Sequence, residues 1–333
     1  MTQKPPLLLG LGLDAGAHRE ADRPDWREFW NDLIARLDGV AEFLTLEDGF
    51  ARPGDDGLDA LLLANWLAPR SREIGIIAGA PINFVEPFHV STAIATLDYV
   101  SDGRAGLLAQ RFDEKRSLEA SSAIGTLKGF PTVDQSSLDR DALDAVDVVR
   151  RLWDSWEVDA VIRDTESQRF VDGAKLHYID FQSAEFRVLG PSITPRPPQG
   201  QPVVAVSWTA ETDPAFARAA DVVFVSAKGD FAETVAKLRN SDAVKGPVVI
   251  ADIGIGPDRS AAEDLVAAAA IASSSGAQGV RLVLSHPHSQ IERVIGTLVP
   301  ALRAAKLVAP PVGGHLRSRF GLPAARNRYA AAA

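Results

Sequence analysis

The residues best placed for chemistry in this chain are carboxylates, hydroxyls and histidines that close apolar runs. Asp48 follows the apolar stretch 40–46, inside Glu47-Asp48-Gly49. A carboxylate there holds a ligand's polar group, acts as a base, or only helps the glycine turn the chain. Thr209 and Thr212 stand between the apolar stretch 202–208 and a short helical segment. Hydroxyls and backbone N–H groups at a helix start bind phosphate, and equally often they cap the helix. Trp208, ending the same stretch, either stacks on a planar ligand or plugs the opening beside it. His286-Pro287-His288 offers two imidazoles with no third ligand close in sequence, weak ground for a metal. Gly254-Ile255-Gly256 lacks the third glycine and the spacing of a dinucleotide fingerprint, and no GxSxG elbow or Walker loop occurs.

These residues must be held by the elements before and after them. Apolar runs at about 7–13, 40–46, 73–79, 105–109, 202–208, 222–226, 247–253 and 279–285 read as buried strands. Each is followed by a helix-length segment, at about 24–37 with Pro24 at its entry, 57–67, 86–100, 138–156, 213–219, 231–238, 261–274 and 291–304. In the third, Phe88, Ile94, Leu97 and Val100 mark the expected apolar stripe, and an SDGR turn leads into the next strand. Eight strand–helix steps predict a closed (β/α)8 TIM barrel over an open doubly wound sheet, in one domain spanning 1–333. The rhythm breaks between the fourth and fifth strands. The Ser-rich stretch 111–136 and an irregular excursion at about 157–201 lie there, and the prolines of SITPRPPQGQP exclude a central strand or a long helix. The excursion is either an active-site cover or a packing arm.

In such a barrel the site is built at the C-terminal ends of the strands. Those ends bring Asp14, Glu47, Asp48, Gly79, Ala80, Gln110, Arg111, Ser207, Trp208, Thr209, Ser226, Lys228, Asp252 and residues 285–288 to one rim. His18, just after the first strand, is a candidate polar or proton-transferring group for the same pocket.

The 333 residues carry a formal charge of −9, which argues against nucleic acid or an anionic membrane surface as partner. The absence of cysteine excludes disulfides, thiolate metal sites and a Cys nucleophile. The first apolar run reaches only to Leu13 and reads as a strand, not a signal peptide. No apolar run approaches the roughly 20 residues that span a bilayer, so a cytoplasmic protein is expected.

EPFHVSTAIATLDYVSDGRAGL, LWDSWEVDAVIRD, HYIDFQSAEFRVLGP, PRPPQGQPVVAV, ADVVFVSA and LRSRFGLP together resemble, in order, the bacterial-luciferase-like flavin monooxygenases. The likeness is to the branch with the nitrilotriacetate and dibenzothiophene-sulfone monooxygenases. It implies a (β/α)8 barrel that takes reduced FMN from a separate flavin reductase and oxygenates a small organic substrate, in a homo-oligomer. It also implies that Asp48 contacts the flavin and that Thr209 and Thr212 stand in its phosphate-binding turn; Ala80, Gln110, Arg111 and Trp208 are the further cofactor-binding candidates of this chain, with Gln110, Arg111 or Lys228 able to compensate for ligands it lacks. This chain departs from the pattern at that site. Leu108 stands at a usual Asn, Arg111 and Phe112 at Thr and Ser, Ala80-Pro81 at Ser-Thr, Leu138-Asp139 at Arg-Tyr, and Thr212 at Gly. Two alternatives follow: a member with a degenerate flavin site acting as a non-catalytic binding or partner subunit, or an oxidoreductase using the deazaflavin F420.

Overall fold

Alternating apolar strands and helices close into a ring of eight parallel strands with helices outside it. The computed structural model of the chain describes residues 4–20, 25–50, 57–83, 85–112, 134–209, 212–239, 246–256 and 262–330. The first four barrel strands are β1 (Leu8–Asp14), β2 (Phe43–Glu47), β3 (Gly75–Pro81) and β4 (Ala105–Gln110). Two small antiparallel hairpins follow, β5 (Val161–Asp164) with β6 (Arg169–Val171) and β7 (Phe181–Gln182) with β8 (Arg187–Val188). The barrel resumes with β9 (Val203–Trp208), β10 (Val222–Ser226), β11 (Val248–Ile255) and β12 (Gly279–Leu284), which pairs with β1 to close the ring.

The helices are α1 (Trp26–Leu37), α2 (Ala60–Leu67), α3 (Pro87–Val100), α4 (Gln135–Asp154), α5 (Pro214–Ala219), α6 (Phe231–Arg239), α7 (Ala262–Ser274) and α8 (Pro287–Arg293). A π-helical turn (Val294–Leu298) carries α8 into α9 (Val299–Ala304), and α10 (Leu316–Arg319) lies beyond it. Asp25 caps α1, its carboxylate accepting from the Arg27 N–H; Pro24, expected at that entry, lies outside the described residues. Asp59 caps α2, so residues 57–59 are not helical as expected. In α3 the buried stripe is Val90, Ile94 and Leu97, while Val100 is exposed. The spacing of the first three follows the helical repeat; Val100 falls off it.

Along each barrel strand, alternate residues face the helices and the barrel axis. Leu9, Leu11, Leu44, Leu46, Ile76, Ala78, Val204 and Val206 belong to the outer core. Phe43, Ile77, Leu108, Ala205, Phe224 and Ile250 fill the inside. Leu316 and Phe320 of the α10 segment pack into this inner core beside Phe43, Phe320 with its ring 5.3 Å away, and so close the N-terminal end.

That end is held by a polar network. The Asp98 carboxylate at the foot of α3 accepts from the Gln199 backbone N–H (2.9 Å) and Nε2 (2.6 Å). Gln199 Nε2 also donates to Ala105 O, and its Oε1 accepts from the Arg317 N–H at 2.7 Å. Burial pushes the Asp98 carboxyl up to about 6, against those N–H bonds. The 157–201 segment is not wholly irregular, since it contains the two hairpins. Ile179 and Val188 pack on Val148 and Leu152 of α4, and Trp156 Nε1 donates to Ser192 O.

Candidate active site

The inward alternation carries upward to the C-terminal mouth. Gly12, Thr45, Gly79, Ser207, Ser226 and Gly254 supply small walls, and Asp14, Glu47, Gln110, Asp252 and Arg281 supply the polar groups. The floor of this cup is Arg281. Its Nε and Nη2 donate to the two Asp252 oxygens at 2.8 and 2.6 Å, and Nη1 donates to Thr45 Oγ1 at 3.0 Å. Glu47 stands 3.6 Å away, and the guanidinium lies 3.9 Å over the Phe224 ring, where the apolar filling of the barrel begins. Burial alone would lower the Arg281 pKa; Asp252 and Glu47 outweigh it and hold the group above its ordinary value. The guanidinium is 2% exposed, so its charge depends on these partners.

Beside the cup, Gln110 reaches from β4 across β3 to the loop after β2. Its Oε1 accepts from the Asp48 N–H at 2.8 Å and its Nε2 donates to Asp48 O at 3.1 Å. Gly79 makes the crossing possible, because a Cβ there would stand 2.3 Å from Gln110 Oε1. The Asp48 carboxylate accepts from the Gly49 N–H (2.6 Å) and the Ala60 N–H (2.7 Å). Asp48, Phe50, Leu58, Gly79, Ala80 and Pro81 line a cavity of about 390 Å³ at the start of α2.

Arg111 turns away from this cavity to Asp139 near the start of α4, at 2.6 Å, with side chains 9% and 16% exposed. Gln135 Nε2 shares the same carboxylate oxygen. Next to this pair Asn83 ties three elements. Its Nδ2 donates to Leu138 O and to Asp141, and its Oδ1 accepts from the Phe112 N–H. Burial pushes the Asp141 carboxyl up to about 6 despite the Asn83 bond, helped by Glu185 and Asp144.

On the far side the two threonines face each other. Thr212 Oγ1 accepts from the Thr209 N–H at 2.9 Å and lies 3.1 Å from Thr209 Oγ1. The cap of α5 is neither of them but Asp213, whose carboxylate accepts from the Ala215 N–H. Trp208 packs against the outer core, as its place after Val204 and Val206 requires, rather than plugging the mouth. His18 lies in a 3-10 turn against α1, its Nδ1 accepting from Trp30 Nε1 at 3.3 Å, which puts the proton of the neutral ring on Nε2. His286 Nδ1 meets Ser285 Oγ. Among the described residues no group of three His, Asp or Glu side chains is placed to hold a metal ion.

Of the residues expected from sequence, Asp48 and Ala80 line one cavity and Gln110 bonds the Asp48 backbone beside it, while Arg111, Trp208 and His18 turn to other partners. The sequence reading missed Arg281, Thr45 and Asn83. Arg281 had a signal: it stands two residues after Gly279 in a strand otherwise apolar to Leu284, on the face that Asp252 shares in the neighbouring strand.

The model of the luciferase-like monooxygenase family matches residues 35–294. The chain belongs to this family. It is 34% identical over 231 residues to N-acetyl-S-(2-succino)cysteine monooxygenase of Bacillus subtilis (strain 168), a match over 66% of this chain and 51% of the relative. It is 30% identical over 176 residues to dibenzothiophene-sulfone monooxygenase of Rhodococcus erythropolis, over 53% of this chain and 38% of the relative. The matched stretch therefore spans about half the length of these curated relatives or less. In fold it is similar to a riboflavin lyase, with TM-score 0.79, 19% identity and 96% of each chain covered. A long-chain alkane monooxygenase aligns with TM-score 0.77 and 17% identity, again over 96% of each chain.

The segments that carry the family likeness sit mainly away from the mouth. LDY supplies Asp98, PQGQP supplies Gln199, LWDSWE supplies Asp154 and LRSRFGLP supplies Arg317 and Phe320, all gathered at the strands' N-terminal end. In a TIM barrel that end serves stability and the other serves chemistry. Two departures at the chemical end complement each other: Arg111 and Asp139 form one ion pair.

Proposed function

We propose that this chain is the oxygenase component of a two-component flavin monooxygenase, taking reduced FMN from a separate flavin reductase and oxygenating a small organic substrate with O2. The observation that carries the reading is the family match over 35–294, in a barrel whose mouth keeps small walls around a polar floor. The cytoplasm is the expected setting and a homo-oligomer the expected form.

The residues fit a flavin ring better than its phosphate. Gly79, Ala80 and Pro81 give a flat wall beside Asp48, in a cavity of a size small ligands use. Thr212, by contrast, already occupies the Thr209 N–H, and Asp213 already occupies the start of α5. A phosphate there must displace the Thr212 hydroxyl. When bound, the flavin supplies the oxygen chemistry; the chain's part is to hold the ring, exclude water and orient the substrate. Gln110 fixes the Asp48 loop, and the Arg281–Asp252 pair supplies a charged floor that stays put as the mouth fills.

The test is oxygen uptake by the purified chain with FMN, NADH and a flavin reductase over a panel of small organic sulfur and amine compounds. Substrate-dependent oxygenated product supports the reading. No product, with no change in the reoxidation rate of reduced FMN, overturns it.

A second reading, a member that binds a ligand or partner without catalysis, is favoured by one observation: the Arg111–Asp139 and Thr209–Thr212 pairs close on themselves where the resemblance expects flavin contacts. Reduction of a substrate by reduced F420 without oxygen consumption would instead support the deazaflavin reading.

A further inference from the structure

A second cavity, of about 810 Å³, opens at the N-terminal end of the barrel, between the 157–200 segment and residues 315–325. Its size falls in the range of small-molecule sites. Much of its wall is apolar: Val158, Val161, Pro197, Pro198 and Leu322 line it, with the Tyr99 ring, whose hydroxyl donates to Arg196 O. Three arginines line it, Arg163, Arg196 and Arg317.

On the lining itself three arginines stand with one carboxylate, Glu157. Behind the wall, Asp154 is shared by Arg196 and Arg328, Asp221 is shared by Arg150 and Arg317, and Arg328 also pairs with Asp147 at 3.1 Å. Glu157 bonds His177 at 2.8 Å, a contact that cancels its charge only when the imidazole is protonated. Asp98 lies behind Gln199, which takes its carboxylate through both N–H groups. This majority of arginines on the wall stands in a chain whose formal charge is −9. An apolar hollow lined by three arginines and one carboxylate suits a ligand with a ring body and one negative charge.

We propose that this cavity is a binding site for a small aromatic organic anion, separate from the barrel mouth. Arg163 meets the anionic group from the exposed hairpin, Arg196 and Arg317 set the positive potential of the floor, and the prolines, Val158 and Leu322 enclose the ring. The site does not depend on the flavin reading.

The probe is 8-anilinonaphthalene-1-sulfonate, titrated into the full chain by fluorescence and calorimetry, with uncharged N-phenyl-1-naphthylamine as its neutral counterpart. The expected result is one saturable site for the sulfonate and binding of the neutral compound weaker by about tenfold or more. Arg163→Glu and Val158→Asp, both at exposed positions, should each weaken the sulfonate by about tenfold. Lys228→Glu, at the opposite end of the barrel, should leave it unchanged. No saturable site, equal binding of the neutral compound, or affinity that neither cavity variant alters would overturn the proposal.

Discussion

Replacing Asp252 by Ala removes the one carboxylate that holds Arg281 through two hydrogen bonds, at 2.8 and 2.6 Å, inside the barrel. The guanidinium is 2% exposed and cannot turn to water. What remains to it is Thr45 at 3.0 Å, Glu47 at 3.6 Å with a side chain 41% exposed, and the Phe224 ring. Removing one partner of a buried pair costs about 3–5 kcal/mol, because the other charge is left uncompensated. For a chain of this size that corresponds to a fall in Tm of about 4–7 °C. Replacing both residues, as Asp252→Leu with Arg281→Met, should recover most of the loss, since an apolar pair of similar volume substitutes for a buried ion pair at little cost. Urea unfolding followed by tryptophan fluorescence reads both effects. A loss under about 1 kcal/mol for Asp252→Ala, or a double variant no more stable than the single one, would refute the reasoning.

Gln199→Ala should destabilise by about 2–4 kcal/mol, because it strips hydrogen bonds from the Asp98 carboxylate, Ala105 O and the Arg317 N–H together; an unchanged urea midpoint would contradict the role given to the N-terminal network. A double-mutant cycle on Arg111→Ala and Asp139→Ala should return a coupling of about 1–3 kcal/mol for this largely buried pair. Purely additive losses would mean the pair is incidental. The pH dependence has a definite sign. Asp98 titrates near 6 in the folded chain against 3.8 as its ordinary value, so between these the native state holds the extra proton and stability falls as pH rises. The contribution, about 3 kcal/mol, is fully present in acid and gone at neutral pH. Compared with Asp98→Asn, the wild type should lose that advantage between about pH 4 and pH 7. A difference flat with pH would contradict the assignment.

Much of the barrel is legible in the sequence because parallel strands buried on both faces appear as unbroken apolar runs, and eight of them alternate with helix-length segments. Detail within elements is less legible. Val100 passes for a core residue by type, yet it is Val90 that keeps the helical spacing with Ile94 and Leu97. The hairpins at 161–171 and 181–188 have strands of two to four residues, too short to leave an alternating pattern. At the site, alternation would have assigned Trp208 outward and Arg281 inward, whereas attention to strand ends alone takes Trp208 and passes over Arg281. The Arg111–Asp139 pair joins residues 28 apart, and nothing local in either segment announces it. Thr212 closing on Thr209 is equally silent in sequence, since the same two hydroxyls would serve a bound phosphate.

The most direct measurement is anaerobic calorimetric titration of the purified chain with reduced FMN, repeated on Gln110→Ala. Saturable micromolar binding of one flavin per chain, weakened when Gln110 no longer fixes the Asp48 loop, is the result the account predicts. No binding of reduced FMN by the wild type would contradict it and move the chain to a role without flavin.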